Sequence, residues 1–362
     1  MANKSPQNYA VIGLMSGTSL DGVDIAFCRF IIDNQKWTYE IVCAETVAYP
    51  VAWREKLLGL ESTDAVTFNQ VNVEYGYYLG KLVTDFVKKY SLKPDFIASH
   101  GHTIFHQPER RFTVQVGSGN SIAAECGLTT VCDFRSLDVA LGGQGAPLVP
   151  VGDKLLFEDY SFCLNLGGFA NVSYEYDSRR IAFDICPVNI VMNAICNAVG
   201  EEYDDGGQLA STGLINQALL NELNALAFYQ MPLNSPKSLG KEWVIKNIHP
   251  LIEKFKLNER DFLRTFCEHV AIQTAKALNH LDTGKILVTG GGAYNAFLMD
   301  AIRRHTSHTV IVPDKNTIEF KEALIFAFLG VLRMRNENNC LQSVTGARYD
   351  NCGGAVYSGK TG

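Results

Sequence analysis

The chain has 362 residues, 47% of them hydrophobic and 19% charged, with a formal net charge of −6. That balance describes a folded protein of about two domains rather than a disordered chain. The acidic charge speaks against a nucleic-acid groove or a membrane-surface patch, both of which need clustered Lys and Arg, and leaves a small molecule as the expected partner.

The opening stretch MANKSPQNYAVIGLM carries only a short apolar run and does not read as a signal peptide. No run approaches the roughly 18 apolar residues of a membrane helix. Ten scattered cysteines without a C-x-x-C pair read as reduced packing residues, so the expected compartment is the cytoplasm.

Residues 10–50 read as three strands. Val23, Ile25 and Phe27 alternate with Asp24, Ala26 and Cys28, and turns are expected at Asp21-Gly22 and Asp33–Lys36. Phe68, Val71, Tyr75, Tyr78, Leu79, Leu82 and Phe86 share one face of a long helix, followed by a short strand, DFIASH. The pattern then restarts. FCLNLGGFANVSYEY (162–176) reads as strand, Gly-Gly turn, strand; RIAFDI is a third strand leading through Pro187 into a helix that ends near Gly200. The repeat, about 150 residues apart, predicts a duplicated α/β architecture with its boundary between Pro150 and Tyr160. KILVTGGGAYNAFLMDAI (285–302) reads as a buried strand, a triple glycine and a helix. Its glycines suit either a nucleotide approached by backbone N–H groups or tight strand-to-helix packing.

Two motifs are weighed and set aside. GAVYSGKT (354–361) fits the P-loop pattern but has no following helix to face phosphates. His100, His102 and His106 supply three imidazoles for a zinc ion, yet a short strand and turn would have to converge all three. Sugar or phosphate contact, or ordinary hydrogen bonding at a strand end, is the expected use.

GLMSGTSLDGVD (13–24) poses the functional question, because a hairpin needs neither Ser16, Thr18 and Ser19 nor two aspartates. Together with SHGHTIFH, DFRSLDVALGGQGAPLVP, NLGGFANVS, SLGKEW, TGGGAYN, KEALIFA and SVTGAR, it resembles the anhydro-N-acetylmuramic acid kinases, in the same order from residue 12 to about 348. The resemblance implies a duplicated ribonuclease-H-like fold of the actin and hexokinase type, with residues 1–155 and 156–362 closing over ATP in a cleft between them. It implies that water opens the 1,6-anhydro ring of the amino sugar while O6 takes the γ-phosphoryl group of ATP, with Mg²⁺ present.

By the same resemblance Gly17, Thr18, Ser19, Leu20, Asp21, Gly22, Val23 and Asp24 form the ATP segment, with Asp21 or Asp24 in the magnesium shell. Gly167, Gly168 and Asn171 form a second clasp, and Gly290, Gly291, Gly292 and Asn295 lie near the nucleoside. Asp184 is the expected general base; the alternative is an acid near the start of the Pro187 helix. His100, Gln115, Arg135, Asp138, Gln144 and Glu322 are expected on the sugar, with Arg135 pairing its lactyl carboxylate. Relatives read FDTGPGN where this chain has FDICPVN, and a Gln is usual at His102, so side chains of Ile185, Cys186 and Val188 are expected in a ligand loop. That difference motivates an alternative, an ATP-binding protein of the same fold without the muramic acid kinase activity, or a kinase for a related sugar. A homodimer stays open, because no segment marks an interface.

Overall fold

The computed structural model describes residues 6–17, 20–232 and 237–360. It divides into two compact units, Met1–Leu156 with Phe320–Gly362, and Phe157–Glu319. The first unit breaks off after Leu156. The expected assignment of everything from 156 onward to a second domain does not hold, because the last segment packs with the first unit.

In the first unit, β1 (Gln7–Ser16), β2 (Gly22–Asp33) and β3 (Lys36–Ala48) form an antiparallel meander. Asn34 and Gln35 both take left-handed φ, 47° and 70°, which is how a two-residue turn follows the right-handed strand twist. The parallel strand β4 (Phe96–Gln107) lies on the other side of β1, with the short β5 (Phe112–Val116) paired to it and β6 (Thr130–Cys132) beyond. The helix Ala65–Tyr90 starts where Asp64 accepts from Val66 N–H and Thr67 N–H at 2.8 and 3.1 Å, and stops at left-handed Ser91. Its buried face, Val71, Tyr75, Leu79, Val83 and Phe86, joins Ile12, Leu14, Val23, Ile25 and Ile97 in one core. Each large apolar side chain so buried contributes about 1.5–3 kcal/mol.

The second unit repeats the plan. β7 (Phe162–Leu166), β8 (Phe169–Tyr176) and β9 (Arg179–Pro187) form the meander, and β10 (Lys285–Thr289) and β11 (Thr309–Ile311) follow parallel on the far side of β7. The strand orders are therefore the same, β3-β2-β1-β4-β6 and β9-β8-β7-β10-β11. In the first sheet β12 (Ala355–Tyr357) adds antiparallel to β6. This is where the P-loop look-alike falls, as an edge strand, with Thr361 outside the described residues. All ten cysteines are free thiols. No helix among the described residues is long and apolar enough to cross a membrane.

Candidate active site

The turn between β1 and β2 begins at Ser16, whose hydroxyl is not left for a ligand. Ser16 Oγ lies 2.5 Å from Tyr49 OH, accepts from Tyr75 OH at 2.9 Å and is 3.2 Å from His102 Nδ1. Thr18 and Ser19 lie outside the described residues. Leu20 takes φ 59° and packs its side chain on the core, and Val23 is fully buried, so only their backbones remain to face a nucleotide. Gly22 was expected to let phosphates approach. Its Cα instead abuts β3, where an added Cβ would sit 2.5 Å from the Val47 carbonyl oxygen. Asp21 is exposed and accepts from Gly22 N–H at 3.0 Å, whereas Asp24 accepts from Thr46 Oγ1 at 2.6 Å within the sheet. Of the two, Asp21 stands exposed at the turn and Asp24 is tied into the sheet.

A second group in this unit gathers around Arg135. Its Nε donates to His100 Nε2 at 3.0 Å and its Nη1 to the Gly145 carbonyl at 2.7 Å, and its guanidinium lies 5.9 Å from the Phe326 ring centre. Burial pulls its pKa down to about 10, opposed by the Glu322 charge. Glu322 keeps its side chain exposed on the helix Lys315–Met334. The protein packed around it still raises its carboxyl, against the pull of Arg135 and Lys321. Burial, then Arg135, hold His100 well below the usual histidine range. Arg135, His100 and Glu322 therefore do come together. Gln115 sits on β5, its amide donating to Thr113 Oγ1 at 2.8 Å and Thr103 Oγ1 at 3.3 Å.

Asp138 requires correction as a sugar ligand. It is 0% exposed, one carboxylate oxygen accepting from Gly145 N–H at 2.8 Å and the other from Cys340 Sγ, Thr345 Oγ1 and Asn351 Nδ2 at 3.0, 2.8 and 2.9 Å. No surface remains for a sugar hydroxyl. Its work is to hold the Gly142–Gly145 loop from beneath, with Gln144 exposed on top and bonded through its N–H to the Thr345 carbonyl at 2.8 Å.

The zinc reading also falls. His100 turns to Arg135, His102 to Ser16 and exposed His106 to Thr113, and no group of three or more His, Cys, Asp or Glu among the described residues is arranged for a metal ion.

In the second unit, Asp184 on β9 accepts from Leu239 N–H at 2.8 Å, and its own N–H donates to the Lys237 carbonyl at 3.0 Å. Burial raises its carboxyl pKa, and the bonds from Leu239 and Ser238 pull the other way. A carboxylate moved toward neutral pH is a stronger base than an ordinary Asp. Across the sheet, Asp184 is in register with Asn171, Asn171 with Asn165, and Asn165 with Thr289. Cross-strand partners share a sheet face, so these four line one polar row. Sequence reasoning missed Asn165. Its signal was its place two residues before Gly167, in the same alternation that buries Leu164 and Leu166.

Two expectations change here. Ile185, Cys186 and Val188 do not enter a ligand loop: β9 runs through Pro187, and all three are core residues. The Gly167 and Gly168 carbonyls accept from the N–H groups of Val188, Asn189 and Ile190 at 2.8–3.3 Å, which occupies the start of the helix Asn189–Asn197. Asn295, expected near a nucleoside, caps the helix Ala296–His305, accepting from Leu298 N–H at 2.9 Å. Gly290 has φ 83° and an added Cβ would lie 2.6 Å from Asn165 Oδ1, so its role is packing. Gly291 alone of the three is exposed, with Asn189 Nδ2 the nearest atom at 3.5 Å.

Two sheets of identical strand order, each an antiparallel meander extended by parallel strands, define a duplicated ribonuclease-H-like fold of the actin and hexokinase type. Within it, the chain matches the family model for anhydro-N-acetylmuramic acid kinase over residues 9–359. It is 35% identical over 372 residues to the anhydro-N-acetylmuramic acid kinase of Vibrio parahaemolyticus, covering 97% of this chain and 99% of that one. The Haemophilus influenzae protein of the same name is 34% identical over 389 residues, covering 99% of each. The chain belongs to the anhydro-N-acetylmuramic acid kinase family.

Proposed function

We propose that this chain is an ATP-dependent kinase that hydrolyses the 1,6-anhydro bridge of anhydro-N-acetylmuramic acid and phosphorylates O6, giving N-acetylmuramic acid 6-phosphate in bacterial cell-wall recycling. The observation that carries the reading is the end-to-end family match, residues 9–359. A half-buried Asp184 with a raised pKa supports it, as the group that takes a proton from the attacking water. The water oxygen bonds to C1 as the C1–O6 bond breaks, and O6 forms its bond to the γ-phosphorus as ADP departs. Catalysis of this kind is mostly positioning and charge neutralisation.

Asp21 would hold the magnesium ion, which neutralises phosphate charge when bound. Backbone N–H groups of 17–24 and exposed Gly291 would approach the nucleotide. Arg135, Gln115, Gln144 and Glu322 would meet the sugar, with His100, expected on the sugar, instead bracing Arg135, and Arg135 offering the lactyl carboxylate Nη2, the nitrogen that His100 and Gly145 leave open. The cytoplasm is the compartment where ATP is supplied, and free cysteines suit it. The reading without sugar kinase activity loses its motive, since Ile185, Cys186 and Val188 pack in the core.

The test is a mass-spectrometric assay with Mg-ATP and the anhydro sugar in ¹⁸O-labelled water. The expected product is the sugar 6-phosphate with label at C1. Label in inorganic phosphate, without sugar phosphate, would leave only an ATPase.

A further inference from the structure

A turn that merely reverses the chain needs one capping contact, yet three groups converge on Ser16, the last residue of β1. Tyr49 lies just past the end of β3 and reaches both ends of the turn. Its hydroxyl meets Ser16 Oγ at 2.5 Å, and its backbone N–H donates to the Asp21 carbonyl at 3.3 Å. Its ring is fixed among Tyr75, Tyr78 and, through them, Trp53, with centroid separations of 5.1–6.4 Å. Fully buried Tyr75 donates to Ser16 and also touches Tyr49 OH, and His102 is paired with Ser16 in the β1–β4 register. Ser16 has one proton and two lone pairs for these three partners, so with Tyr75 donating to it, its contact with His102 Nδ1 at 3.2 Å closes a shared cluster of hydroxyls and imidazole.

We propose that Tyr49 is a positioning residue for the nucleotide, stapling the turn at Ser16 and Asp21 and acting through the Ser16–Tyr75–His102 cluster. This rests on the reading of residues 17–24 as the phosphate-binding turn. Tyr49 itself touches no reacting atom; it sets where Ser16 and Asp21, on either side of the turn, stand. Because the sugar-facing group around Arg135 hangs on other bonds, the staple acts on nucleotide affinity and not on sugar affinity.

The experiment measures Mg-ATP binding by calorimetry, together with KM for both substrates and Tm, on the full chain. Tyr49→Phe removes the hydroxyl contacts to Ser16 and Tyr75 and is expected to weaken Mg-ATP about tenfold, with sugar KM within about twofold of wild type. Tyr49→Phe/Ser16→Ala is expected to be no weaker than the worse single variant, since both remove the same contact. His102→Gln, which keeps an acceptor, is expected to retain the affinity that His102→Leu loses. These two separate positioning from folding wherever Tm falls. Wild-type protein that binds no Mg-ATP overturns both the phosphate reading and this inference. Wild-type binding matched by Tyr49→Phe, or a Tyr49→Phe loss shared equally by ATP and sugar, overturns this inference alone.

Discussion

His100 and Arg135 share a hydrogen bond that fixes where the histidine proton resides. Arg135 Nε can only donate, so His100 Nε2 is the bare nitrogen, and the proton sits on Nδ1 facing the Gly101 carbonyl at 2.8 Å. The imidazole is thus locked neutral in one tautomer, in line with its depressed pKa. Its Nε2 is spoken for, and it braces the guanidinium rather than titrating with substrate.

Arg135→Ala is accordingly expected to raise sugar KM by about tenfold or more while ATP KM moves by less than about threefold. Steady-state kinetics with each substrate varied in turn checks this. An equal rise in both would count against the lactyl contact.

Asp184→Asn is expected to leave Mg-ATP binding near wild type and cut kcat by about 10² or more. In the wild type, kcat should fall as pH drops through the raised Asp184 pKa, above the ordinary value of about 3.9. The stability effect runs the other way. A carboxyl whose folded pKa is raised favours folding while protonated, and that benefit is lost as pH rises through the folded value. Asp184→Asn should therefore raise Tm at pH 7, and the difference should vanish below about pH 4. Thermal melts at the two pH values decide it.

Asp138→Ala strips the acceptor from four buried donors and should cost about 3 kcal/mol or more in denaturant unfolding. A variant of wild-type stability with a raised sugar KM would return Asp138 to the ligand-binding set.

Gly290→Ala and Gly291→Ala form a paired test of the triple glycine. The first meets Asn165 Oδ1 at 2.6 Å from a positive-φ backbone, so loss of stability by about 2 kcal/mol is expected. The second has no atom closer than 3.5 Å and should fold normally, so any loss of Mg-ATP affinity there reports approach of the nucleotide.

Much of the architecture was legible because it is local. The alternation through Val23, Ile25 and Phe27, the paired turns and the repeat of hairpin, third strand and helix all act over neighbouring residues. What stayed hidden was non-local. Nothing near Asp138 announces that Cys340, Thr345 and Asn351 fill its valences, nor that Gly22 is small because Val47 is close. Asn295 and Gly290 lay in a motif that suggested a ligand, and their capping and packing uses depend on Leu298 and Asn165. The Ile185–Val188 difference looked like an altered loop because the end of β9 cannot be read from four residues.

The membership of Phe320–Gly362 in the first unit has a consequence for synthesis on the ribosome. The second unit is one unbroken stretch, Phe157–Glu319, so it is free to close as soon as it emerges. The first cannot: three of the four donors that satisfy Asp138 arrive at residues 340, 345 and 351, translated only after the whole of the second unit. Until then its carboxylate lacks those three partners, and of the two units the one begun first is the one completed last.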